Sequence, residues 1–382
     1  MAVDADTRQP ARPATRRRER LEEGRRLGTA GHALVIAATA LVLGTLLNAQ
    51  GIYKTAYNQP EGWEREVALA VAGPLRDVSH ALWLDRPRQW LKDAIGREND
   101  DEIDTAIALP TAAQPPPAAV PATPPPAAQP PPAAPPPAAA PPPPAAPAKV
   151  AFTPKRKLRL WVAGDSLVVT PGWAIVRAAG GTPVIESVGG VDGRVATGLE
   201  RPDVFNWFTH IREQLKTLKP KVIVLSFGGN DDHGYMTGLP EGVTLDGFAG
   251  PVWTREYRRR VGGLMDTASR VGTYVVWIGL PITSSQEQSA RFDVINRAVA
   301  AEAKERPDAV AFVDTYTMFA SDTGGYAEYL EDTAGRLQKV RAGDGVHFER
   351  AGGDIIAREV LRRLNQAFDL TSWRKRASSG TP

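Results

Sequence analysis

The sequence has 382 residues, with 46 lysines and arginines against 43 aspartates and glutamates, and a formal net charge of +3. This near balance gives no electrostatic reason to expect a nucleic-acid partner, which normally needs a clearly basic surface. Cysteine is absent, which excludes disulfides, thiol nucleophiles and cysteine-ligated metal sites. The 34 prolines are unevenly spread, so less of the chain is available for a folded core than its length suggests.

The N-terminal region places a basic segment before an apolar one. Residues 1–26 are polar and rich in arginine, whereas residues 27–53 contain no charged residue. An apolar helix of about 20 residues crosses a hydrocarbon core of roughly 30 Å. We therefore expect one transmembrane helix at 27–53, with a cytoplasmic tail before it and the rest of the chain outside the cytoplasm, in the periplasm or at the cell surface. A cleaved secretory signal has the same order of segments and is the alternative.

Residues 54–109 contain two amphipathic patterns, at 64–84 and 87–98, in which apolar residues recur at helical spacing. We expect a small helical juxtamembrane region. Its tryptophans are candidates for contact with the membrane surface, and these are Trp63, Trp83 and Trp90. A helical hairpin that packs on itself or on the following domain explains the same pattern.

Residues 110–150 are almost only proline and alanine. Such a composition cannot bury a core and favours the extended polyproline II conformation. We expect a disordered linker, and at about 3.1 Å per residue it could hold the next domain on the order of 100 Å from the membrane.

Residues 151–370 alternate β-rich runs with helical patterns, which indicates an α/β domain. The strand runs are apolar throughout, as expected for a parallel sheet with helices on both faces. The final residues, 371–382, are expected to form a disordered tail. The predicted strands are 158–164, 183–188, 221–228, 273–280 and 309–315, and the predicted helices are 202–218, 254–271, 286–306 and 351–367.

Polar clusters follow the first and third predicted strands and precede the last helix. They contain Ser166, Asn230, and the pair Asp344 and His347. Ligand sites in open α/β sheets lie beyond the carboxyl ends of the strands, so we expect these clusters at one rim. A serine becomes a nucleophile when a base takes its proton and a third group orients that base, roles that His347 and Asp344 can fill. The Asn230 amide, with backbone N–H groups of Ser166 and of a glycine in 188–193, can bind an oxyanion.

These motifs together resemble the SGNH/GDSL hydrolases over about residues 158–367. The matching blocks are GDSLVV, the glycine block at 190–193, GGND and DGVHFERAGG. The resemblance implies a three-layer α/β/α, flavodoxin-like domain. It implies Ser166 as nucleophile, Asp344 and His347 as the rest of a triad, and Gly193 and Asn230 as oxyanion donors, with Gly189 and Gly190 as competitors of Gly193. The apolar N-terminus, the Pro-rich segment and the WIGLP and TREYRRRV stretches also resemble a membrane-anchored bacterial subgroup of that family.

Simpler roles compete at several positions. Ser166 could cap the helix that begins near Val169, and Asn230 could be a turn residue. His233 is the rival of His347, but it has no carboxylate in an Asp-x-x-His arrangement. Asp165 is expected to hold the turn through backbone hydrogen bonds. The spacing of Asp231 to His233 fits no metal site well, and we expect neither a metal nor a cofactor.

Two long segments, 234–253 and 321–344, are expected to form loops that wall the site. Tyr326 and Tyr329, in the second segment, could stack on a sugar or pack at the surface. We therefore expect an extracytoplasmic serine esterase that acts through an acyl-enzyme on acyl groups of a cell-envelope glycan. An O-acyltransferase with the same triad and a non-catalytic envelope scaffold or glycan-binding protein are the alternatives. The oligomeric state is open.

Overall fold

The structure is a computed structural model that describes residues 30–59, 63–87, 90, 103–110, 149–332 and 334–374. The chain divides into two compact units, residues 1–102 and residues 103–382. Several expectations fall outside the described residues. These are the cytoplasmic tail at 1–26, almost all of the helix at 87–98, residues 111–148 of the Pro/Ala segment, and 375–382 of the C-terminal tail.

The described part of the first unit consists of helices α1 (Ala30–Leu47), α2 (Ala49–Tyr57) and α3 (Trp63–Ala81). The helices α2 and α3 pack on each other, with the Arg65 side chain donating to the Tyr57 carbonyl (2.9 Å) and the Arg76 guanidinium 4.1 Å from the Tyr53 ring centre. Ser79 on α3 donates to the Leu46 carbonyl at the end of α1 (2.7 Å). The helices α2 and α3 thus form a helical hairpin that packs on itself.

The apolar N-terminal segment is not the single helix expected at 27–53. It breaks at Asn48, whose backbone angles (φ −111°, ψ 13°) leave the helical region. Asparagine favours helix ends because its side chain competes for backbone hydrogen bonds. Within the described residues no helix by itself is long and apolar enough to span a membrane; Gly31–Leu47 and Ala49–Tyr57 pass that test only as a pair, with a bend of 67° between them.

The second unit is built on a five-stranded sheet in the order β2-β1-β3-β4-β5, with every pairing parallel. This is the flavodoxin-like order, and the predicted parallel α/β sheet is confirmed. The strands consist largely of β-branched and other apolar residues, and all five residues of β3 are buried. The strands are β1 (Leu158–Gly164), β2 (Ile185–Gly193), β3 (Val222–Ser226), β4 (Tyr274–Ile278) and β5 (Val310–Val313).

Helices cover both faces of the sheet. They are α4 (Val169–Gly180), α5 (Trp207–Leu218), α6 (Pro251–Ser269), α7 (Gln286–Lys304), the short α8 (Thr315–Met318) and α9 (Arg350–Ala367). Helix α4 packs against α9, whereas α6 packs against both α5 and α7. The three-layer arrangement buries four tryptophans almost completely, and these are Trp161, Trp207, Trp253 and Trp277.

Strand β2 runs five residues beyond its predicted end at 188. Its register against β1 shifts between Leu160 and Val162, because Gly189 (φ +72°) and Gly190 (φ +64°) form a bulge opposite Trp161. Left-handed backbone angles are easy for glycine, so the strand absorbs the extra residues and then resumes pairing. Its last residue, Gly193, lies opposite Gly164 at the carboxyl end of β1.

Two further features differ from the expectations. The segment 321–344 is not only loop, because β6 (Tyr329–Glu331) and β7 (Leu337–Lys339) pair as an antiparallel hairpin. These strands have three residues each, too short for an alternating pattern to be recognised. The unit that contains the sheet also begins at Ile103 rather than at residue 151, because Ile107 and Leu109 pack against its core.

Candidate active site

The proposed nucleophile lies on a tight turn between β1 and α4. The Asp165 amide donates to the Ser226 carbonyl (3.0 Å), and a Cβ on Gly164 would come within 2.1 Å of the same oxygen. Only glycine therefore lets β1 and β3 approach so closely at this rim. Ser166 begins the 3-10 turn Ser166–Val168 that leads into α4. Its amide is at the start of a helix, where no intrahelical acceptor exists, so it can bind an anion.

The structure brings together the three residues predicted to form a triad. Nε2 of His347 lies 2.9 Å from Oγ of Ser166, although the two residues are 181 positions apart in sequence. Nδ1 of His347 lies 2.7 Å from Oδ2 of Asp344. Both distances are those of hydrogen bonds. The arrangement is that of a nucleophile, a base and a group that orients the base.

Asp344 is held as an ionised hydrogen-bond acceptor. Partial burial acts to raise its pKa, but hydrogen bonds from the His347 and Val346 amides (2.9 Å each) and from the imidazole lower the pKa to about 2. A carboxylate in this position favours the proton on Nδ1 of His347, which leaves the lone pair of Nε2 directed at Ser166. The imidazole can then accept the serine proton.

Gly193 and the competing glycines lie in different parts of β2. Gly189 and Gly190 form the bulge opposite Trp161, within the sheet, whereas Gly193 is at the carboxyl end beside Gly164. A Cβ on Gly193 would come within 2.6 Å of the Val169 side chain at the start of α4. Of the three glycines, Gly193 is the one at the rim that carries Ser166.

Asn230 lies at the same rim, in the loop after β3. Its side-chain nitrogen donates to the Thr197 carbonyl (2.9 Å), which fixes the direction of the amide and uses one of its two hydrogens. Asp165 joins the Asn230 loop to the turn that carries Ser166. It does so through backbone hydrogen bonds, as the sequence analysis expected. Its carboxylate accepts from the Leu167 amide (2.9 Å) and from the Gly229 amide (2.8 Å). Burial raises the pKa of Asp165 to about 7, against the lowering effect of these amides.

A buried acidic network supports the Asn230 loop from behind. Asp231 accepts hydrogen bonds from the Leu199 amide (2.9 Å), the Glu200 amide (3.0 Å) and the Tyr257 hydroxyl (3.0 Å). Glu200 in turn accepts from the indole of Trp253 (2.7 Å), and burial raises its pKa to about 7. The network holds the 197–200 segment, and with it the Thr197 carbonyl, against the GGND loop. Sequence analysis missed Glu200, since a lone acidic residue in a loop carries no local signal.

The other two histidines of the second unit, His210 and His233, have other partners. The ring of His233 lies 3.5 Å from a Glu200 oxygen and 3.2 Å from the Asn230 carbonyl. His210 is buried on α5, with its Nε2 2.5 Å from an Asp192 oxygen. His347 is therefore the imidazole that the structure places on Ser166.

Arg341 is a second residue that sequence analysis missed. Its side chain is fully buried and donates to the carbonyls of Ile282 (2.5 Å) and Val346 (2.5 Å). The Ser284 amide donates to the Gly345 carbonyl (3.1 Å), so the loop that carries Asp344 and His347 is attached to the loop after β4 at two points. Burial lowers the pKa of Arg341 to about 10, which still leaves it charged at neutral pH.

The predicted sugar-stacking tyrosines have different environments. Tyr326 packs beside Arg341, whose guanidinium lies 5.4 Å from the ring centre. Tyr329 is exposed on β6. Tyr326 thus has a packing role beside the Asp344 loop, whereas the Tyr329 ring is open to solvent.

The family model that matches is described as a protein of unknown function (DUF459) and covers residues 159–363. The chain belongs to this family. No curated protein matches it. The matched range contains all five predicted site residues.

Solved structures also resemble the chain. A catalytic mutant of an acetylxylan esterase from Geobacillus stearothermophilus is 17% identical, with 58% of this chain and 98% of that chain covered and a TM-score of 0.40. A GDSL-like lipase from Bacteroides thetaiotaomicron is 16% identical, with 57% and 93% covered and a TM-score of 0.37. A member of the lipolytic G-D-S-L family from Veillonella parvula is 16% identical, with 53% and 96% covered and a TM-score of 0.36.

Proposed function

We propose that this chain is a serine hydrolase that cleaves carboxylic esters through an acyl-enzyme. The observation that carries the proposal is the continuous hydrogen-bonded chain from Ser166 through His347 to Asp344, with distances of 2.9 and 2.7 Å. A serine in a helix-capping role needs no imidazole, and a histidine in a packing role needs no carboxylate. Together the three residues form a proton-transfer path of the kind that activates a serine hydroxyl.

In the first half of the reaction Oγ of Ser166 attacks the ester carbonyl carbon while Nε2 of His347 accepts the hydroxyl proton. The carbonyl oxygen becomes an oxyanion, which the amides of Ser166 and Gly193 and the free N–H of Asn230 would bind. The tetrahedral intermediate then collapses and expels the alkoxide. The alkoxide accepts the proton from His347 and leaves as the alcohol. Asp344 stays ionised throughout and stabilises the imidazolium.

In the second half, water attacks the acyl-serine and gives its proton to His347, which returns it to Oγ as the acid leaves. The imidazole and carboxylate side chains are 40% and 51% exposed, so water has access to this step. That access favours hydrolysis over transfer of the acyl group to a sugar hydroxyl. Transfer would use the same acyl-enzyme and is distinguished by its product.

We further propose that the chain is anchored in a membrane through its bent pair of N-terminal helices, α1 and α2, with the catalytic unit outside the cytoplasm. In support, α1 is apolar on all sides, and four of its large apolar residues are 62–72% exposed, namely Leu34, Val35, Ile36 and Leu41. Exposed apolar residues around a whole helix suit a lipid environment. The exposed Trp63 and Trp83 would suit the interface between lipid and water. The ester would then be an O-acyl group on a glycan of the cell envelope.

The nucleophile is tested by treating the full-length protein with a fluorophosphonate probe and mapping the modified residue by mass spectrometry. We expect Ser166 to be labelled, and we expect Ser166→Ala to lose both labelling and hydrolysis of 4-nitrophenyl acetate. Ser284→Ala is the matched control, because this exposed serine hydrogen-bonds to the Asp344 loop through its backbone amide, which the substitution keeps. Hydrolysis by Ser166→Ala at the rate of the unmodified protein would refute the mechanism.

Location and product need separate measurements. Protease added outside intact spheroplasts should digest the catalytic unit if it faces outward and spare it if it faces the cytoplasm. With an acyl donor and glycan fragments present together, free acid as the main product supports the esterase, whereas acylated glycan would identify a transferase.

A further inference from the structure

We propose that residues 103–110, here called the strap, bind a groove on the catalytic unit, so that the chain is attached to this unit before the Pro/Ala segment begins. The sequence led us to expect that segment as a spacer between the N-terminal helices and the catalytic unit. With the strap bound, the Pro/Ala residues instead begin and end on the same unit. They then contribute nothing to how far that unit can move from the N-terminal helices.

The polar half of the strap is held by Asn206. The side-chain nitrogen of Asn206 donates to the Asp104 carboxylate (2.8 Å) and to the Ala106 carbonyl (2.9 Å). Its side-chain oxygen caps α5 by accepting from the amides of Phe208 and Thr209 (3.1 Å each). Both the nitrogen and the oxygen of the Asn206 side-chain amide therefore make hydrogen bonds, the nitrogen to the strap and the oxygen to α5. Asp104 also gains from its position at the start of α5, because a helix N-terminus favours a nearby negative charge.

The apolar half of the strap packs against two glycines of the catalytic unit, where a side chain would clash with it. A Cβ on Gly238 would come within 2.4 Å of the Thr105 carbonyl, and a Cβ on Gly263 would come within 2.5 Å of the Leu109 side chain. Gly263 lies within α6, where glycine costs about 1 kcal/mol relative to alanine. The contact with Leu109 explains why glycine occupies this helix position despite that cost. The groove therefore has the shape of the strap, with Ile107 and Leu109 against the core.

The chain is held again just after the Pro/Ala segment. The Lys149 side chain donates to the Asn365 carbonyl near the end of α9 (3.1 Å). The Asp369 amide donates to the Val150 carbonyl (3.0 Å), and the Phe152 amide donates to the Asp369 carbonyl (3.0 Å). Both ends of the Pro/Ala segment thus have contacts on the catalytic unit.

This attachment changes which residues act as the tether. Helix α3 ends at Ala81, residues 82–87 continue it as a turn and a short helical segment, and the catalytic unit begins at Ile103, so the connecting chain is at most residues 88–102. Fully extended, at about 3.3–3.6 Å per residue, this connection reaches at most about 50 Å. The limit holds whatever the length of the Pro/Ala segment, so shortening that segment should leave the reach of the catalytic unit unchanged.

The test is to insert a site for a sequence-specific protease into 111–148 of the full-length, N-terminally tagged protein in detergent. After complete cleavage, we expect the fragment that starts in the Pro/Ala segment to remain with the tagged N-terminal fragment on an affinity column and in gel filtration. Leu109→Asp should release it, because the substitution places a charge against the core. Ala108→Asp is the matched control, since residue 108 is exposed, and should leave the fragments together.

Each other outcome contradicts the proposal. Separation of the fragments without any substitution would show that the strap does not hold. Retention with Leu109→Asp would show that another contact holds them. Release with Ala108→Asp as readily as with Leu109→Asp would show that the effect is one of charge rather than of the groove. The thermal unfolding temperature of each uncleaved variant checks that the catalytic unit is still folded.

Discussion

Replacing Asp344 by asparagine should stop His347 from acting as a base, by reversing its tautomer. Oδ1 of Asp344 accepts two backbone amides, from Val346 and His347. An asparagine can serve those amides only with its oxygen, so its NH₂ group must face Nδ1 of the imidazole. Nδ1 then becomes the acceptor and the proton moves to Nε2, which can no longer take a proton from Ser166. Flipping the amide to restore the tautomer would give up two hydrogen bonds of about 0.5–1.5 kcal/mol each.

The size of the loss follows from the same geometry. Reversal of the tautomer lowers kcat by about 10⁴-fold in serine proteases with a buried aspartate. Here the Asp344 side chain is 51% exposed, and solvent screening weakens the electrostatic part of its effect. We therefore expect a loss nearer 10³-fold, with each factor of ten worth about 1.4 kcal/mol in the barrier. Asp344→Ala leaves both tautomers accessible, so it should lose less activity than Asp344→Asn.

The measurement is kcat and KM for 4-nitrophenyl acetate, with unfolding temperatures to confirm that both variants fold. The ordering of the two variants is the informative result, because a purely electrostatic role for Asp344 predicts that the isosteric asparagine is the milder change. Activity of Asp344→Asn equal to or above that of Asp344→Ala would refute the tautomer argument.

Three further outcomes are expected. Asn230→Ala should lower kcat by about 10² to 10³-fold with little change in KM, because an oxyanion donor acts mainly in the transition state; steady-state kinetics would show it. Arg341→Met leaves buried carbonyls without donors, at about 1–3 kcal/mol each, and should lower the unfolding temperature in calorimetry by about 5 °C or more. Burial raises the pKa of Glu200 from 4.5 to about 7. The native chain therefore keeps a proton that the unfolded chain loses in this window, and stability falls as pH rises through it. Glu200→Gln should reduce the decline in urea-unfolding free energy between pH 5 and pH 8.

The local sequence pattern was sufficient for most of the sheet. Strand β1 has the predicted bounds, and β3, β4 and β5 lie within their predicted ranges, because apolar β-branched runs and the turn residues around them are short-range signals. Strand β2 ran past its prediction because the two glycines that look like an end form a bulge. The residues Ser166, Asp344 and His347 were identified by their order and by their positions at element ends. Because ligand sites in open α/β sheets lie beyond the carboxyl ends of the strands, these residues were expected at the same edge of the sheet.

What the amino-acid order determined by itself, then, was the class of fold and the residues that can carry acyl chemistry, since both depend on residue types at short spacing. Tertiary structure decided that Arg341 fastens the Asp344 loop, that Glu200 lies behind the Asn230 loop, and that the strap belongs to the catalytic unit. Each of these depends on contacts between segments distant in sequence. A buried arginine or an eight-residue segment such as the strap has no local pattern that reveals its partner, because burial and pairing arise only when the whole core has formed.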